Sequence, residues 1–244
     1  MSLGHSKICL GCWQQMKLPI PLRGLLSGPF RMFGIRPSRM NPNTCTICEM
    51  AFTKIMKARS ITTDVTVMFA DLRGYTTLTQ DWPVERVSAL LDTFYDECAA
   101  AIWKHDGLLN KTLGDSVLAI FNFPLRHGDH AVQALLAARE IQQRCRDWNA
   151  DMVHGIRAGE TKIGVGIGID SGDTNFGEFG RSHRDLTVIG TVVNRAARAQ
   201  AAAQPGEILV TETVRARTGS MVRSPGRDYT LKGFNTSVTL FSDL

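Results

Sequence analysis

The stretch Leu108–Phe121, LLNKTLGDSVLAIF, constrains this chain most, because two apolar-rich runs flank a Gly114-Asp115 pair. That pattern predicts a β-hairpin with strands at Leu108–Leu113 and Ser116–Phe121. A carboxylate at a tight turn between two apolar strands reaches solvent and is held firmly enough to grip a cation. Lys111 lies four residues before Asp115. In an isolated hairpin Asp115 would serve only as a turn former and Lys111 as a solvated strand charge. The rest of the chain gives both residues more to do.

Upstream, Thr62–Asp71 (TTDVTVMFAD) is rich in β-branched and apolar residues and reads as a buried strand ending in a carboxylate. The following LRGYTTL places glycine and small polar residues between a strand end and a helix, where backbone N–H groups can cradle phosphate oxygens. By itself Asp71 would be a helix N-cap. Pro83 opens a helix with Val87, Leu91, Phe94, Cys98 and Ile102 on one face, and Asp129–Met152 forms another with Ala134, Ala138, Ile141, Cys145, Trp148 and Met152 as its stripe. Cys98 and Cys145 are therefore core residues.

Lys162–Asp170 (KIGVGIGID) alternates Ile or Val with Gly, a strand whose bare face needs another element against it. Thr174–Phe179 reads as a further strand, Arg181–Arg184 as a basic turn and Asp185–Ile189 as a short strand. Gly190 and Thr191 start a helix on which Asn194 and Arg198 stand four apart and share a face. Strand Glu207–Thr211, helix Glu212–Arg217 and a hairpin of Tyr229–Leu231 with Val238–Phe241 close the chain. The order β-α-β-β-α-β implies an α+β fold, a ferredoxin-like palm whose mixed or antiparallel sheet is covered by helices. If the strands carrying Asp71 and Asp115 are neighbours, the two carboxylates can bind a pair of Mg²⁺ ions on a polyphosphate.

The N-terminal segment has a different character. Residues 1–60 hold nine Lys/Arg against the single acid Glu49, while the remainder has nineteen bases and twenty-two acids. Four of the six cysteines form two pairs, Cys9-Leu-Gly-Cys12 and Cys45-Thr-Ile-Cys48. Each pair can chelate through two thiolates, which predicts one tetrathiolate Zn²⁺ site; an iron–sulfur cluster or redox-active thiols could use the same residues. His5 could substitute as a ligand.

Between the pairs, five prolines forbid long regular elements, and arginines interleave with Leu25, Leu26, Phe30, Phe33 and Ile35. That composition suits weak contact with a membrane surface, and less a nucleic acid, but the plainer expectation is a small cap packed on the next domain with solvated arginines. Glu49–Ser60 reads as a linking helix with Phe52, Ile55, Met56 and Arg59 on one side. The division is thus a Cys-rich basic cap at 1–48, a linker helix at 49–61 and a main domain at 62–244. With 43% hydrophobic residues in 244 the chain is globular. It contains no run of about eighteen apolar residues and no signal-peptide core at its start, so the cytoplasm is expected.

The motifs VTVMFADLRGYTTL, NKTLGDSVLAIF, HGDHAVQALLAA and DLTVIGTVVNRAARAQ, in that order, resemble class III nucleotidyl cyclases over about Val65–Phe241. The resemblance implies two Mg²⁺ or Mn²⁺ ions held by Asp71, Asp115 and the backbone of Leu72, and phosphates held by the backbone of Leu72, Arg73, Gly74, Tyr75 and Thr76. It implies that Lys111 and Thr187 read the base, and that Asn194 and Arg198 stabilise the transition state. A lysine that contacts the triphosphate in the family falls near KGFN, where Phe234 takes its place; Lys232 or a basic residue of Arg181–Arg184 would substitute. Lys111 can donate to adenine N1 and the Thr187 hydroxyl can accept from N6, so ATP is the expected substrate, ahead of GTP or a pyrimidine nucleotide. Threonine at the second position is similar to a bacterial subgroup that includes bicarbonate-responsive enzymes. The family also implies an antiparallel homodimer with shared sites, in which Asp115 would serve one site and Lys111 the other. The remaining readings are a catalytically silent nucleotide-binding module, a different palm enzyme such as a diguanylate cyclase, or a nucleic-acid-binding interaction protein.

Overall fold

The computed structural model describes residues 5–58, 60–151, 163–179 and 185–243. The N-terminal segment, called the cap below, contributes α1 (Leu10–Met16), α2 (Gly28–Met32) and α3 (Thr46–Ala58). The main domain then runs β1 (Ile61–Arg73), α4 (Tyr75–Asp81), α5 (Val84–Lys104), β2 (Leu108–Leu113), β3 (Ser116–Phe121), α6 (His130–Asp151), β4 (Gly164–Phe179) and β5 (Asp185–Ile189). It ends with α7 (Thr191–Ala202), β6 (Ile208–Thr211), α8 (Glu212–Thr218), β7 (Gly226–Tyr229) and β8 (Val238–Asp243).

The strands form one sheet in the order β2-β3-β1-β4-β6-β8-β7, with β5 folded onto β4. Its described pairings are antiparallel except for the parallel β4–β6 pair. The first four sheet positions, β2-β3-β1-β4, are the expected palm. Strand alternation divides the core between two faces. Met68, Ala70 and Leu72 of β1 join Val117, Ala119 and Phe121 of β3 beneath α5 and α6, which supply Phe94, Cys98, Ile102, Ala134, Ala138 and Ile141. Val65, Val67 and Phe69 turn the other way and bury with Leu118, Ile120 and the α7 residues Val192 and Ala196. Cys98 and Cys145 lie in the first cluster, as expected, and Leu91 and Trp148 pack only partly buried against it. Met152 lies outside the described residues.

The bare glycine face of β4 is covered. A Cβ on Gly168 would overlap the backbone of Ala196 and Gln200, so α7 crosses the sheet at van der Waals contact there, and at Gly166 the Arg73 side chain fills the space. Three expectations need correction. The two strands expected at Lys162–Asp170 and Thr174–Phe179 are one strand, Gly164–Phe179, because β1 pairs with it without interruption from Ile61 opposite Phe176 to Arg73 opposite Gly164, while Lys162 lies outside the described residues. The turn chemistry of Ser171-Gly172-Asp173 is overridden by that long partner. The last hairpin begins at Gly226 and not Tyr229, since Leu231 leaves the strand to bury with Ala199, Ala203, Leu209 and Leu240. The linking helix starts at Thr46, three residues early, so that the second cysteine pair sits at its N-terminus. On that helix Phe52 stacks on Phe123 at 5.4 Å, whereas Ile55 is exposed; the Met56 side chain and Arg59 lie outside the described residues.

Between the cysteine pairs the regular elements are short, the longest being the five-residue α2. The cap packs on the main domain, and its tip leaves Leu25, Leu26, Met32 and Phe33 almost fully exposed beside the exposed Arg31 and Arg36. No described helix is long and apolar enough to cross a membrane.

Candidate active site

Two carboxylate-bearing segments meet at one end of β1. Asp71 lies opposite Ser116 of β3 and opposite Gly166 of β4. The β2–β3 turn beside it carries Gly114 at φ +63°, a left-handed conformation that suits glycine, followed by Asp115. Long-range contacts pin this turn to β1 and α5. The Leu72 N–H donates to the Asp115 carbonyl at 3.0 Å, the Ser116 hydroxyl donates to the Ala70 carbonyl at 3.2 Å, and the Tyr95 hydroxyl donates to the Gly114 carbonyl. Burial and the charge of Asp115 push the Asp71 carboxyl up to about 6, while Arg73 at 3.4 Å offsets part of this. A half-buried carboxylate repelled by its neighbour is a donor set that a divalent cation relieves, so these residues fit the metal pair that the sequence implies.

The Arg73 guanidinium does not extend along the loop. It folds back over Gly166 and donates to the Gln200 carbonyl at the end of α7. What the loop offers a phosphate is therefore backbone. Gly74, at φ +76°, caps α4, and Tyr75 and Thr76 open the helix with N–H groups that have no carbonyl within it.

A side chain that the sequence reading overlooked links the strands that carry the two expected base-reading residues. Asn110 stands at the register shift between Leu109 and Lys111. Its Nδ2 donates to the Leu186 carbonyl at 3.2 Å, and the Thr187 hydroxyl donates to its Oδ1 at 3.5 Å. β2, which carries Lys111, is thereby tied to β5, which carries Thr187. The only local signal was an amide side chain next to Lys111 on a short strand.

Asn194 and Arg198 do share a face of α7. With Thr191 and residues 232–236 they line an open cleft of ≈ 560 Å³. Lys232 thus joins Asn194 and Arg198, whereas Phe234 packs against the small cluster of Leu231 and Leu240. The alternative basic turn, Arg181–Arg184, lies outside the described residues. α7 is fixed from below by the fully buried Asp170, which accepts from Arg195 Nε at 2.6 Å, from the Thr211 hydroxyl at 2.6 Å and from the Ser171 N–H at 2.8 Å. Burial raises the Asp170 pKa, and the bonds from Thr211 and Arg195 pull it back. Neither Asp71 nor Asp115 lines the α7 cleft. The carboxylate corner and the basic cleft are separate patches of one chain.

In the cap, the Sγ atoms of Cys9, Cys12, Cys45 and Cys48 all lie within 4.8 Å of one another, and all four residues are buried and free of disulfides. Hydrogen bonds from Cys48 and Cys9 hold the Cys45 thiol far below its ordinary value. Burial lifts Cys12 to about 12, and donation to Cys45 keeps Cys48 protonated. A cation bound by the four sulfurs would displace the protons that Cys12 and Cys48 retain. His5 is not part of it.

Residues 57–241 match the family described as the adenylate and guanylate cyclase catalytic domain. Among curated proteins, the chain is 31% identical to adenylate cyclase 1 of Rhizobium meliloti over 140 residues, 55% of this chain and 20% of that protein. It spans less than a third of the length of the curated relatives it matches first. Among solved structures it is similar to the adenylyl cyclase CyaB from P. aeruginosa, with 27% identity, a TM-score of 0.68, and coverage of 75% of this chain and 95% of that one. It is equally similar in fold to the guanylyl cyclase Cya2, with 25% identity, a TM-score of 0.68, and coverage of 75% and 92%. Palm topology, paired carboxylates at the end of β1 and a family match across three quarters of its length agree, and the chain belongs to the adenylate and guanylate cyclase catalytic domain family.

Proposed function

We propose that the chain is an adenylate cyclase, converting ATP to 3′,5′-cyclic AMP and pyrophosphate in a homodimer whose sites each draw on both copies. The choice of adenine is supported by the chemistry of the pair Lys111 and Thr187, with Thr187 hydrogen-bonded to Asn110, the residue before Lys111. A lysine donates to the unprotonated N1 of adenine, and a threonine hydroxyl accepts from its amino group; the N1–H of guanine would meet a donor with a donor.

In this reading the ribose 3′ oxygen forms a bond to the α-phosphorus, the bond to the β-phosphate oxygen breaks, pyrophosphate leaves, and the 3′ hydroxyl proton passes to solvent. Asp71, Asp115 and the Leu72 carbonyl would hold a pair of Mg²⁺ or Mn²⁺ ions, which would supply Lewis acidity and charge neutralisation on the phosphates. Arg198 faces the α-phosphate, where its planar guanidinium spreads charge over several donors. Asn194, one turn earlier, orients the ribose. Lys232, in the same cleft, takes the terminal phosphate, and the backbone from Leu72 to Thr76 of the other copy holds the same polyphosphate. The tetrathiolate of the cap suits one structural Zn²⁺, and the exposed apolar tip with Arg31 and Arg36 suits weak contact with an anionic membrane surface.

Chromatography of the products formed from ATP, GTP, CTP and UTP with Mn²⁺ tests this function. Cyclic AMP as the main product is expected. Cyclic GMP in excess would overturn the base assignment, and the lack of any cyclic product would overturn catalysis in favour of a nucleotide-binding module.

A further inference from the structure

The cap grips the catalytic hairpin at its base. Asn41 Nδ2 donates to the Gly107 carbonyl at 2.9 Å, and Asn43 Nδ2 donates to Asp106 Oδ1 at 2.7 Å and to the Trp103 carbonyl at 3.3 Å. Trp103 Nε1 returns a bond to the Met40 carbonyl at 2.9 Å. On the other strand, the Arg126 N–H donates to Gln14 Oε1 at 3.1 Å, and Phe52 stacks on Phe123. Residues 103–107 enter β2 and residues 122–126 leave β3, so the cap holds both ends of the hairpin whose other end carries Asp115.

These gripping residues are themselves held by the cysteines. Cys45 follows Asn43 by two positions, and the Leu10 N–H, inside the first cysteine pair, donates to the Asn43 carbonyl at 2.8 Å. Each Cys-X-X-Cys turn directs an N–H at its first sulfur, Cys12 to Cys9 at 3.4 Å and Cys48 to Cys45 at 3.5 Å. A Cβ on Gly11 would lie 2.9 Å from Cys48 Sγ, so the two turns close on each other. Three sulfur pairs stand at 3.4–3.6 Å. A tetrahedral Zn²⁺ with bonds of about 2.3 Å sets its sulfurs about 3.8 Å apart, whereas a cluster of several irons would hold them much farther from one another. Apart from the cysteines, Leu22 is the one buried member of this small cluster among the described residues. So little apolar burial cannot hold a cap of this size without a staple.

We propose that Cys9, Cys12, Cys45 and Cys48 bind one Zn²⁺, and that this ion keeps Asn41 and Asn43 clamped on the hairpin base, so that zinc occupancy sets the alignment of Lys111 and Asp115. The second part rests on the cyclase reading of the hairpin; the first does not. Metal analysis of the full chain should find one zinc per chain, lost in the Cys45→Ser, Cys48→Ser variant. Iron in its place, or zinc retained by that variant, would overturn the assignment.

Hydrogen exchange then reads the clamp without any activity assay. Stripping the zinc should raise exchange at least tenfold at residues 103–113 and 119–126, with β4 and β6 unchanged. An Asn41→Ala, Asn43→Ala variant should keep its zinc yet show the same rise and a lower rate with ATP. Zinc-free protein with unchanged exchange at the hairpin would overturn the clamp. Clamp-dependent exchange in a chain that forms no cyclic nucleotide would overturn the cyclase reading alone.

Discussion

Asp71 carries the tension of the site in a single side chain. Its carboxyl, pushed up to about 6 from the usual 3.8, binds a proton more tightly when folded than when unfolded. The stability this supplies is full at low pH and is lost as pH rises from about 4 to about 6. Above that range the ionised, 19%-exposed side chain costs the cation-free fold on the order of 2 kcal/mol. Asp71→Asn removes the charge. In buffer free of Mg²⁺ and Mn²⁺, urea unfolding should show the variant about 2 kcal/mol more stable than the natural protein at pH 7.5. The gap should vanish below pH 4, and Mn²⁺ should narrow it at pH 7.5 by stabilising the natural protein alone. A gap independent of pH would contradict this account.

At the scale of elements, α7 is held on two sides. Gly168 admits its backbone from one side, and the Arg195–Asp170 pair holds it down. Gly168→Ala should cost about 1–3 kcal/mol, as overpacking does, and should lower the cyclisation rate by displacing Asn194 and Arg198. Gly28→Ala, with open space around it, should change neither. Thermal unfolding together with steady-state rates checks both.

The legible parts of the fold were those set by local chemistry. The β2–β3 hairpin lies where alternation and the Gly-Asp turn put it, and the bare glycines of β4 announced that some element lies against them, which at Gly168 is α7. What the sequence hid depends on distant partners. Ser171-Gly172-Asp173 looks like a turn but is held extended by β1. Tyr95 and Asp170 have no local signature, and Asn110 has only a weak one, since each acts through a contact with an element far along the chain. The cysteine spacing announced that four thiols would meet, as they do, but nothing in it showed that Asn41 and Asn43 would tie that cluster to the hairpin.

At the scale of the molecule, one chain presents a carboxylate corner and a separate basic cleft, and cyclase domains work as dimers on nucleotides. The central claim is that each working site joins the Asp71–Asp115 corner of one copy to the Lys111, Thr187, Asn194 and Arg198 set of the other. Mixing an Asp71→Ala chain with an Arg198→Ala chain, each inactive by itself, tests it most directly. Verified heterodimers should recover on the order of half the natural activity, because one of their two composite sites is intact. Heterodimers that stay as inactive as either parent would contradict the shared site.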